Sequence, residues 1–143
     1  MDDHALRQTL KVDEGLSLKP YRDGMGIRTI GYGHQMVKAD GMTASTHLTL
    51  DQAEDLLEAD VTCALAACQR LFPDFYLLPE VAQAVLANMA FNLGEHGLKE
   101  FVQMRQAIAR RQWRNAAQAM RHSLWYTQVP RRAERLAQAM EGI

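Results

Sequence analysis

The stretch from Thr49 to Leu71 constrains the fold most, because it predicts a single helix of more than twenty residues with a defined start. Thr49-Leu50-Asp51-Gln52 is a capping box, in which the first and fourth side chains accept bonds from each other's backbone amides at a helix N-terminus. The apolar residues that follow recur three or four positions apart, as one buried helix face requires: Leu50, Ala53, Leu57, Val61, Ala64 and Leu65. Pro73 ends the pattern.

The residues that precede this helix have a different composition. Over residues 16–48, aromatic and β-branched residues are mixed with glycines, and Pro20 fits an edge position, so we expect two or three short strands with little core of their own. Before the strands, apolar residues at near-helical spacing predict a helix over residues 3–14 that Gly15 ends: Leu6, Leu10 and Val12.

The pattern of the residues that follow Pro73 predicts helices only. Pro79 fits the first position of a helix, and that helix should form the buried centre of the region because its apolar face is broad: Val81, Val85, Leu86, Met89 and Ala90. Gly94 and Gly97 are expected to break it. Further helices are expected over 98–110, over 113–122 and from Pro130 onward, with Val129 as the N-cap of the last.

Together these patterns predict an α+β protein that is mainly helical. We expect a small β-containing N-terminal lobe over residues 15–48, a connecting helix over 49–72, and a helical lobe formed by 1–14 and 73–143, with a cleft between the lobes. The 143 residues should form one domain that needs no disulfide or metal, because a chain of this length buries about two-thirds of its unfolded surface.

Composition excludes several classes of protein. The chain is 48% hydrophobic, but no apolar run approaches the ~18 residues of a membrane span, so we expect no stable membrane insertion. Its acidic start, Met1-Asp2-Asp3, is unlike a signal peptide, which favours production in the cytoplasm. Cys63 and Cys68 lie five positions apart on one helix, too far for a disulfide, and are expected to be reduced core residues; ligand spacing for a metal is lacking.

Charge is nearly balanced overall, at −1, but differs between the two parts of the chain. Up to Leu98 there are 7 basic and 14 acidic residues; from Lys99 onward there are 9 basic and 3 acidic. The basic part is either a solvated arginine-rich surface or a surface for a polyanion such as the bacterial cell wall. No nucleic-acid-binding motif is present, so nucleic acid is not expected as a partner.

Glu14 and Asp23 are candidates for acid and base chemistry. Eight residues separate them, and they fall on different elements, one at a helix end and the other on a turn; the alternative is that both are solvated surface acids. The negative end of the helix dipole favours a protonated Glu14, the better general acid. Asp23 could activate a water, and Thr29, separated from Asp23 by five residues, offers a hydroxyl that could hold that water.

The wider sequence around these residues resembles a known family. EG-x-x-LKPYRD and TIGYGH surround the two acids and Thr29, and ANMAFNLGE, Gln112-Trp113 and SLWYTQVPRRA follow in the same order and approximate spacing as in the phage lysozymes of glycoside hydrolase family 24. The similarity runs nearly end to end. It implies a lysozyme-like fold in one lysozyme domain, and it maps the family's active-site trio onto Glu14, Asp23 and Thr29.

The resemblance also implies a function. It points to a muramidase that cleaves the β-1,4 bond between N-acetylmuramic acid and N-acetylglucosamine in peptidoglycan, with inversion, without cofactor or metal, and as a monomer. Such an enzyme would act on the wall after release from the cytoplasm of an infected bacterial host. The alternatives are a lytic transglycosylase and a non-catalytic wall-binding or virion structural module. Many family members are strongly basic, whereas this chain is not.

Several further residues are expected to contact the substrate or to support the structure around the site. The resemblance makes Phe91, Asn92 and Gln128 candidate sugar contacts and likens Arg132 to the family arginine that faces the catalytic glutamate. Gly33, with Gly31, would let the chain approach the saccharide closely or would mark a plain bend. His34 is expected to be a structural partner of an acid such as Asp60 rather than a catalytic base. The tryptophans Trp113 and Trp125 are expected in the core.

Overall fold

A computed structural model describes residues 1–143 as seven α-helices and one small antiparallel sheet, which confirms the mainly helical α+β fold. The helices are α1 Asp3–Glu14, α2 Leu50–Leu71, α3 Glu80–Lys99, α4 Val102–Ala109, α5 Trp113–Arg121, α6 Leu124–Gln128 and α7 Pro130–Glu141. The strands are β1 Ser17–Arg22, β2 Arg28–Gly31 and β3 His34–Gln35. Two 3₁₀ turns, Lys38–Asp40 and Phe75–Leu77, complete the elements.

Backbone contacts divide the chain into two compact units. We call Asp2–Thr62 the sheet unit and Cys63–Ile143, with Met1, the helical unit. The boundary falls within α2. Helix α1 is grouped with the strands here, whereas the sequence assigned residues 1–14 to the helical lobe; the arrangement of both units as one domain stays a prediction.

The sheet of the sheet unit has the order β1-β2-β3, with both pairs antiparallel. Tyr21 lies opposite Thr29, and Arg22 lies opposite Arg28. Pro20 lies in β1, which is an edge strand as predicted, because a proline cannot donate to a neighbouring strand. The pairing is irregular between Ser17 and Tyr21, on either side of this proline.

Helix α1 has the predicted bounds but not the whole predicted face. The Asp2 carboxylate accepts a hydrogen bond from the Ala5 amide, and Gly15 ends the helix with a positive φ of 68°. Leu6 and Leu10 are buried, whereas Val12 is 83% exposed, so its expected place in the core is wrong. Two residues turn a helix by about 200°, which places Val12 on the side opposite Leu10.

The capping box of α2 is confirmed. The Gln52 amide donates to Thr49 Oγ1 at 3.1 Å, and the Thr49 amide donates to Gln52 Oε1 at 2.8 Å. Leu50 is exposed rather than buried, because it lies on the first turn of the helix, where no neighbouring element covers it. Both cysteines of α2 are free thiols. Cys68 is buried and Cys63 is exposed, so the expectation of two core residues is wrong for Cys63.

The helical unit has one continuous apolar core, which α3 supplies most heavily. The helix begins at Glu80, so Pro79 is its N-cap and not its first residue, and Val81 points to solvent on the first turn rather than into the core. Gly94 interrupts the helix with φ 74° and ψ 171°, as predicted. The chain is helical again up to Lys99, so neither the break at Gly97 nor a helix start at Leu98 is correct.

The C-terminal helices contain one element that the sequence did not predict. Ser123 caps the five-residue helix α6, its hydroxyl accepting from the Tyr126 amide at 3.2 Å. The N-cap at Val129 and the start of α7 at Pro130 are confirmed. Trp125 is buried in the core, and Trp113 is half-buried against it. No helix combines the length and the apolar character that crossing a membrane requires.

Candidate active site

Glu14 is the last residue of α1, and the turn between β2 and β3 packs directly against its side chain. A Cβ placed on Gly33 would lie 2.7 Å from Glu14 Cδ and closer still to Oε2. Gly33 also has a positive φ of 71°, which disfavours any other residue. The glycine is therefore more than a plain bend, because its missing side chain is the space that the Glu14 carboxylate occupies.

Tyr32 of this turn contacts an ion pair between α1 and α2. Lys11 Nζ lies 2.6 Å from Glu54 Oε1 and 5.3 Å from the centre of the Tyr32 ring, while the Tyr32 hydroxyl lies 3.4 Å from the same carboxylate oxygen. Tyr32 is buried between Gly31 and Gly33. This cluster could not be predicted from the sequence, because its three members come from three distant elements and share no local pattern.

Asp23 follows β1 on the turn that leads into β2. Its Oδ1 accepts hydrogen bonds from the Met25 and Ile27 amides, each at 2.9 Å, and its own amide donates to the Ile27 carbonyl at 2.9 Å. These bonds hold the carboxylate in one orientation. Both acceptor bonds use Oδ1, which leaves Oδ2 for a water or a substrate group.

Thr29 is buried on β2, with only 3% of its surface exposed. Its hydroxyl donates to the Ile27 carbonyl at 2.9 Å. Since a hydroxyl has one hydrogen and two lone pairs, the remaining capacity of this group is to accept. A water beside Thr29 would therefore donate a hydrogen to it, which orients the water's oxygen away.

Tyr21 joins these groups electrostatically. Burial raises the pKa of its hydroxyl, and the negative charges of Glu14 and Asp23 raise it further. Two carboxylates from different elements thus act on one phenol, and Thr29 lies directly across the strand pair from it. Tyr21 thus has a relation to each predicted residue, because Glu14 and Asp23 both influence its pKa and Thr29 is its partner on β2. Tyr21 was not predicted as a site residue, although its position two residues before Asp23 was the available signal.

His34 is held on both sides by carboxylates. Its Nδ1 lies 2.7 Å from Asp60 Oδ2, which confirms the predicted partner, and its Nε2 lies 2.9 Å from Asp40 Oδ2, which was not predicted. The bond to Asp60 raises the pKa of His34 to about 9, against the effect of burial, and Asp40 adds to the rise. With both ring nitrogens engaged, His34 is a structural group and not a base.

Asp40 in turn connects His34 to the 3₁₀ turn. Its Oδ2 also accepts from the Val37 amide at 2.9 Å. Burial would raise the pKa of Asp40, but the Val37 amide and His34 together hold it below its usual value. The three side chains of His34, Asp40 and Asp60 thus tie β3, the 3₁₀ turn and α2 together.

The other predicted contact residues lie in the helical unit. Asn92 Oδ1 accepts from Trp125 Nε1 at 2.7 Å, and Phe91 is half-buried at the edge of the core. Gln128 lines a groove of about 480 Å³ whose walls also include Phe101 and Trp125. Arg132 Nε donates to the buried Asn88 Oδ1 at 2.8 Å. Asn92 thus bonds Trp125, and Gln128 lines the same groove as Trp125.

The chemistry available in the sheet unit follows from these positions. Glu14 can supply a proton, Asp23 has a fixed oxygen that can take one, and Thr29 can accept a hydrogen from a water between them. Across residues 1–143, no three His, Cys, Asp or Glu side chains are grouped so that they could hold a metal ion.

Comparison with known proteins identifies the family of this chain. The family model for phage lysozyme matches residues 11–138, a range that contains all three residues of the trio. The probable T4-type lysozyme 2 of Dictyostelium discoideum is 28% identical over 96% of this chain and 94% of its own length.

Two phage proteins are similar over only a part of themselves. The pre-baseplate central spike protein Gp5 of Enterobacteria phage T4 is 30% identical over 92% of this chain but 27% of its own length. The peptidoglycan hydrolase gp36 of Pseudomonas phage phiKMV is 31% identical over 94% of this chain and 15% of its own length. The chain belongs to the phage lysozyme family, as a lysozyme-like glycoside hydrolase of the bacterial cell wall.

Proposed function

We propose that this protein is a muramidase that hydrolyses the β-1,4 bond between N-acetylmuramic acid and N-acetylglucosamine, with Glu14 as the general acid. The observation that carries the proposal is the position of Tyr21, which lies opposite Thr29 and close enough to both Glu14 and Asp23 for their charges to raise its pKa. Family membership supports it, as does the similarity to a protein named as a peptidoglycan hydrolase. We further propose that it acts as a monomer, without cofactor, after production in the cytoplasm of an infected host.

In the proposed reaction Glu14 gives its proton to the glycosidic oxygen, and the bond from that oxygen to the anomeric carbon breaks. A water attacks the anomeric carbon from the other face and passes a proton to Asp23 Oδ2. Thr29, whose own hydrogen is used on the Ile27 carbonyl, accepts the second hydrogen of the water and so orients it. A water on the opposite face inverts the configuration at the anomeric carbon.

The substrate contacts of the proposal extend beyond the trio. We propose that the saccharide approaches the backbone of Gly33 beside the Glu14 carboxylate, which lies against this glycine. In the helical unit we propose Phe91, Asn92, Gln128 and Arg132 as contacts. The aromatic groove beside Gln128 and the bond that fixes Asn92 to Trp125 support the choice.

The proposed acid is tested by Glu14→Gln, which keeps the shape and removes the proton donor. Loss of turbidity of outer-membrane-permeabilised cells should slow by about 10²- to 10⁴-fold, while the urea midpoint stays near that of the wild type. Glu58→Gln is the matched control, because Glu58 is an exposed residue of α2 in the same unit. A Glu14→Gln protein that keeps more than about a tenth of the activity would remove Glu14 from the role of acid.

Product analysis tests the fate of the bond. Mass spectrometry should show hydrated reducing ends; 1,6-anhydro products would instead identify a lytic transglycosylase, and no products at all would identify a binding or structural module.

The stereochemical course is tested by proton NMR, in which the first-formed anomer should be the α form. A β anomer would mean retention, with Asp23 as nucleophile, and would end the role given to Thr29. Thr29→Val should lower turnover with little change in saccharide affinity.

A further inference from the structure

Tyr21 lies on the same face of the strand pair as two of the proposed catalytic residues. It is directly opposite Thr29, and side chains of directly opposed residues point to the same side of a sheet. Asp23 is two residues further along, where the backbone bond to Ile27 continues the strand pairing, and residues two apart share a face. Arg22 and Arg28, opposite each other, occupy the other face.

The hydroxyl of Tyr21 differs from those of the other three tyrosines. The Tyr32 and Tyr126 hydroxyls donate to Glu54 and Glu134, each at 3.4 Å, and the Tyr76 hydroxyl accepts from Gln69 at 3.1 Å. Tyr21 makes no such bond within the protein, and the residue is 37% exposed. Its hydroxyl is therefore open to a ligand beside the proposed catalytic residues, and a phenol can both donate and accept a hydrogen bond.

The charges around Tyr21 fix the form in which it would bind. Burial and the two carboxylates raise the pKa of its hydroxyl, so the phenol is neutral and carries its hydrogen throughout the neutral pH range. Tyr21 can therefore donate, and it is unsuited to act as a base. Sugar hydroxyl and ring oxygens are neutral acceptors, which a neutral phenol bonds without leaving a charge unpaired.

We propose that Tyr21 is a saccharide-positioning residue, whose phenol donates a hydrogen bond to an oxygen of the sugar that lies between Glu14 and Asp23. This inference rests on the proposed function and adds a contact to the same site. The bond would position the anomeric carbon relative to both acids, and neither carboxylate would be needed to make it. It forms in the ground state and is kept in the transition state, so it contributes to affinity more than to turnover.

Tyr21→Phe tests the proposal, because it removes only the hydroxyl. With a soluble peptidoglycan fragment as substrate, kcat/KM should fall about 3- to 10-fold, mostly through KM, which is the range for one hydrogen bond to a neutral acceptor. The same loss should appear as weaker binding of that fragment when Glu14→Gln is compared with Glu14→Gln/Tyr21→Phe by calorimetry. Tyr76→Phe is the matched control, and its kcat/KM should equal that of the wild type.

The outcomes separate this inference from the proposed function. If Glu14→Gln retains activity, the proposed function fails, whatever Tyr21→Phe does. If Glu14→Gln is inactive but Tyr21→Phe binds and cleaves the fragment as the wild type does, only the role of Tyr21 is overturned. A fall in kcat alone, with a shifted pH profile and unchanged fragment binding, would also overturn it, because Tyr21 would then act through the carboxylates.

Discussion

The two units are stabilised by different kinds of contact. The helical unit is organised around a continuous apolar core that runs from Ala64 to Met140 and includes fully buried methionine, leucine and phenylalanine side chains. The sheet unit buries fewer apolar side chains, among them Leu10, Ile30 and Leu57. Charged groups add to this packing and tie its strands and helices together, as in the pairs of Lys11 with Glu54 and of His34 with Asp40 and Asp60.

This difference has a physical reason in the chemistry. Acid and base groups must stay accessible and must be oriented to within about half an ångström, which directional hydrogen bonds achieve better than apolar packing. All three residues of the proposed trio lie in the sheet unit. We therefore expect mutations in the helical unit to lower stability according to the side-chain volume that they remove. Mutations in the sheet unit should instead change the pH dependence of stability or the orientation of one carboxylate.

The largest expected effect is in the apolar core of the helical unit. Leu86→Ala in α3 should lower the free energy of unfolding by about 2 to 5 kcal/mol, because the fully buried side chain leaves a cavity in a close-packed core. Leu57→Ala, at an equally buried position of the sheet unit, should cost less, since fewer buried apolar side chains are available there to line a cavity. Urea titration measures both. A larger loss for Leu57→Ala would invalidate the contrast between the units.

The second prediction concerns His34 and its dependence on pH. Its folded pKa of about 9 lies above the unfolded value of ~6.5, so its stabilisation is full below about pH 6.5 and is lost as the pH rises through about 9. His34→Asn should therefore cost more stability near pH 6 than near pH 10, by up to about 3 kcal/mol.

The control for this prediction is His4→Asn, on the exposed surface of α1. It should change stability by the same small amount at both pH values. Equal losses for His34→Asn at the two pH values would mean that its ion pairs with Asp60 and Asp40 contribute nothing and that the ring only packs.

The third prediction separates strain from the orientation of Glu14. Gly33→Ala and Gly41→Ala both introduce a Cβ at a positive φ, of 71° and 67°, so each should cost about 1 to 2 kcal/mol of stability. Only at Gly33 would the new atom meet Glu14, and the flexible end of that side chain can move aside. Gly33→Ala should thus lose at least about tenfold in activity, because a misplaced acid transfers its proton poorly. Similar activity in the two variants would show that Glu14 does not depend on this contact.

The smallest effect is expected on the outer face of the hairpin. Arg22 and Arg28 lie directly opposite each other, and like charges in that position are destabilising. Arg28→Gln should raise the free energy of unfolding by about 0.2 to 1 kcal/mol at low salt. The gain should shrink at high salt as the repulsion is screened. A gain that is independent of salt would assign the effect to strand propensity instead.

Features set by neighbouring residues in the chain could be predicted from the sequence. The capping box at Thr49, the break at Gly94 and the proline start of α7 depend on local backbone chemistry, and the structure has all three. The partnership of His34 with Asp60 was also predicted, from the need of a histidine beside a turn for an acid.

Features that depend on distant residues were missed. Periodicity placed Leu50 and Val81 on buried faces, but both lie on the first turn of a helix, where no neighbouring element covers them. The role of Asp40 depends on a 3₁₀ turn that returns to β3, and a five-residue helix such as α6 is too short to leave a periodic signal. The fit of Gly33 against Glu14 is likewise invisible until α1 and the turn are placed together.

The two free thiols of α2 give this protein a built-in attachment point for a probe. Burial raises the pKa of Cys68 to about 12, so it carries almost no reactive thiolate at neutral pH, and its side chain is closed to reagents. Cys63 is exposed at the residue where the helical unit begins. A maleimide dye should therefore attach at Cys63 alone in the folded wild-type protein and would report on the middle of α2 while peptidoglycan is bound and cut. Labelling of a second thiol would then be a direct signal that the core around Cys68 has opened.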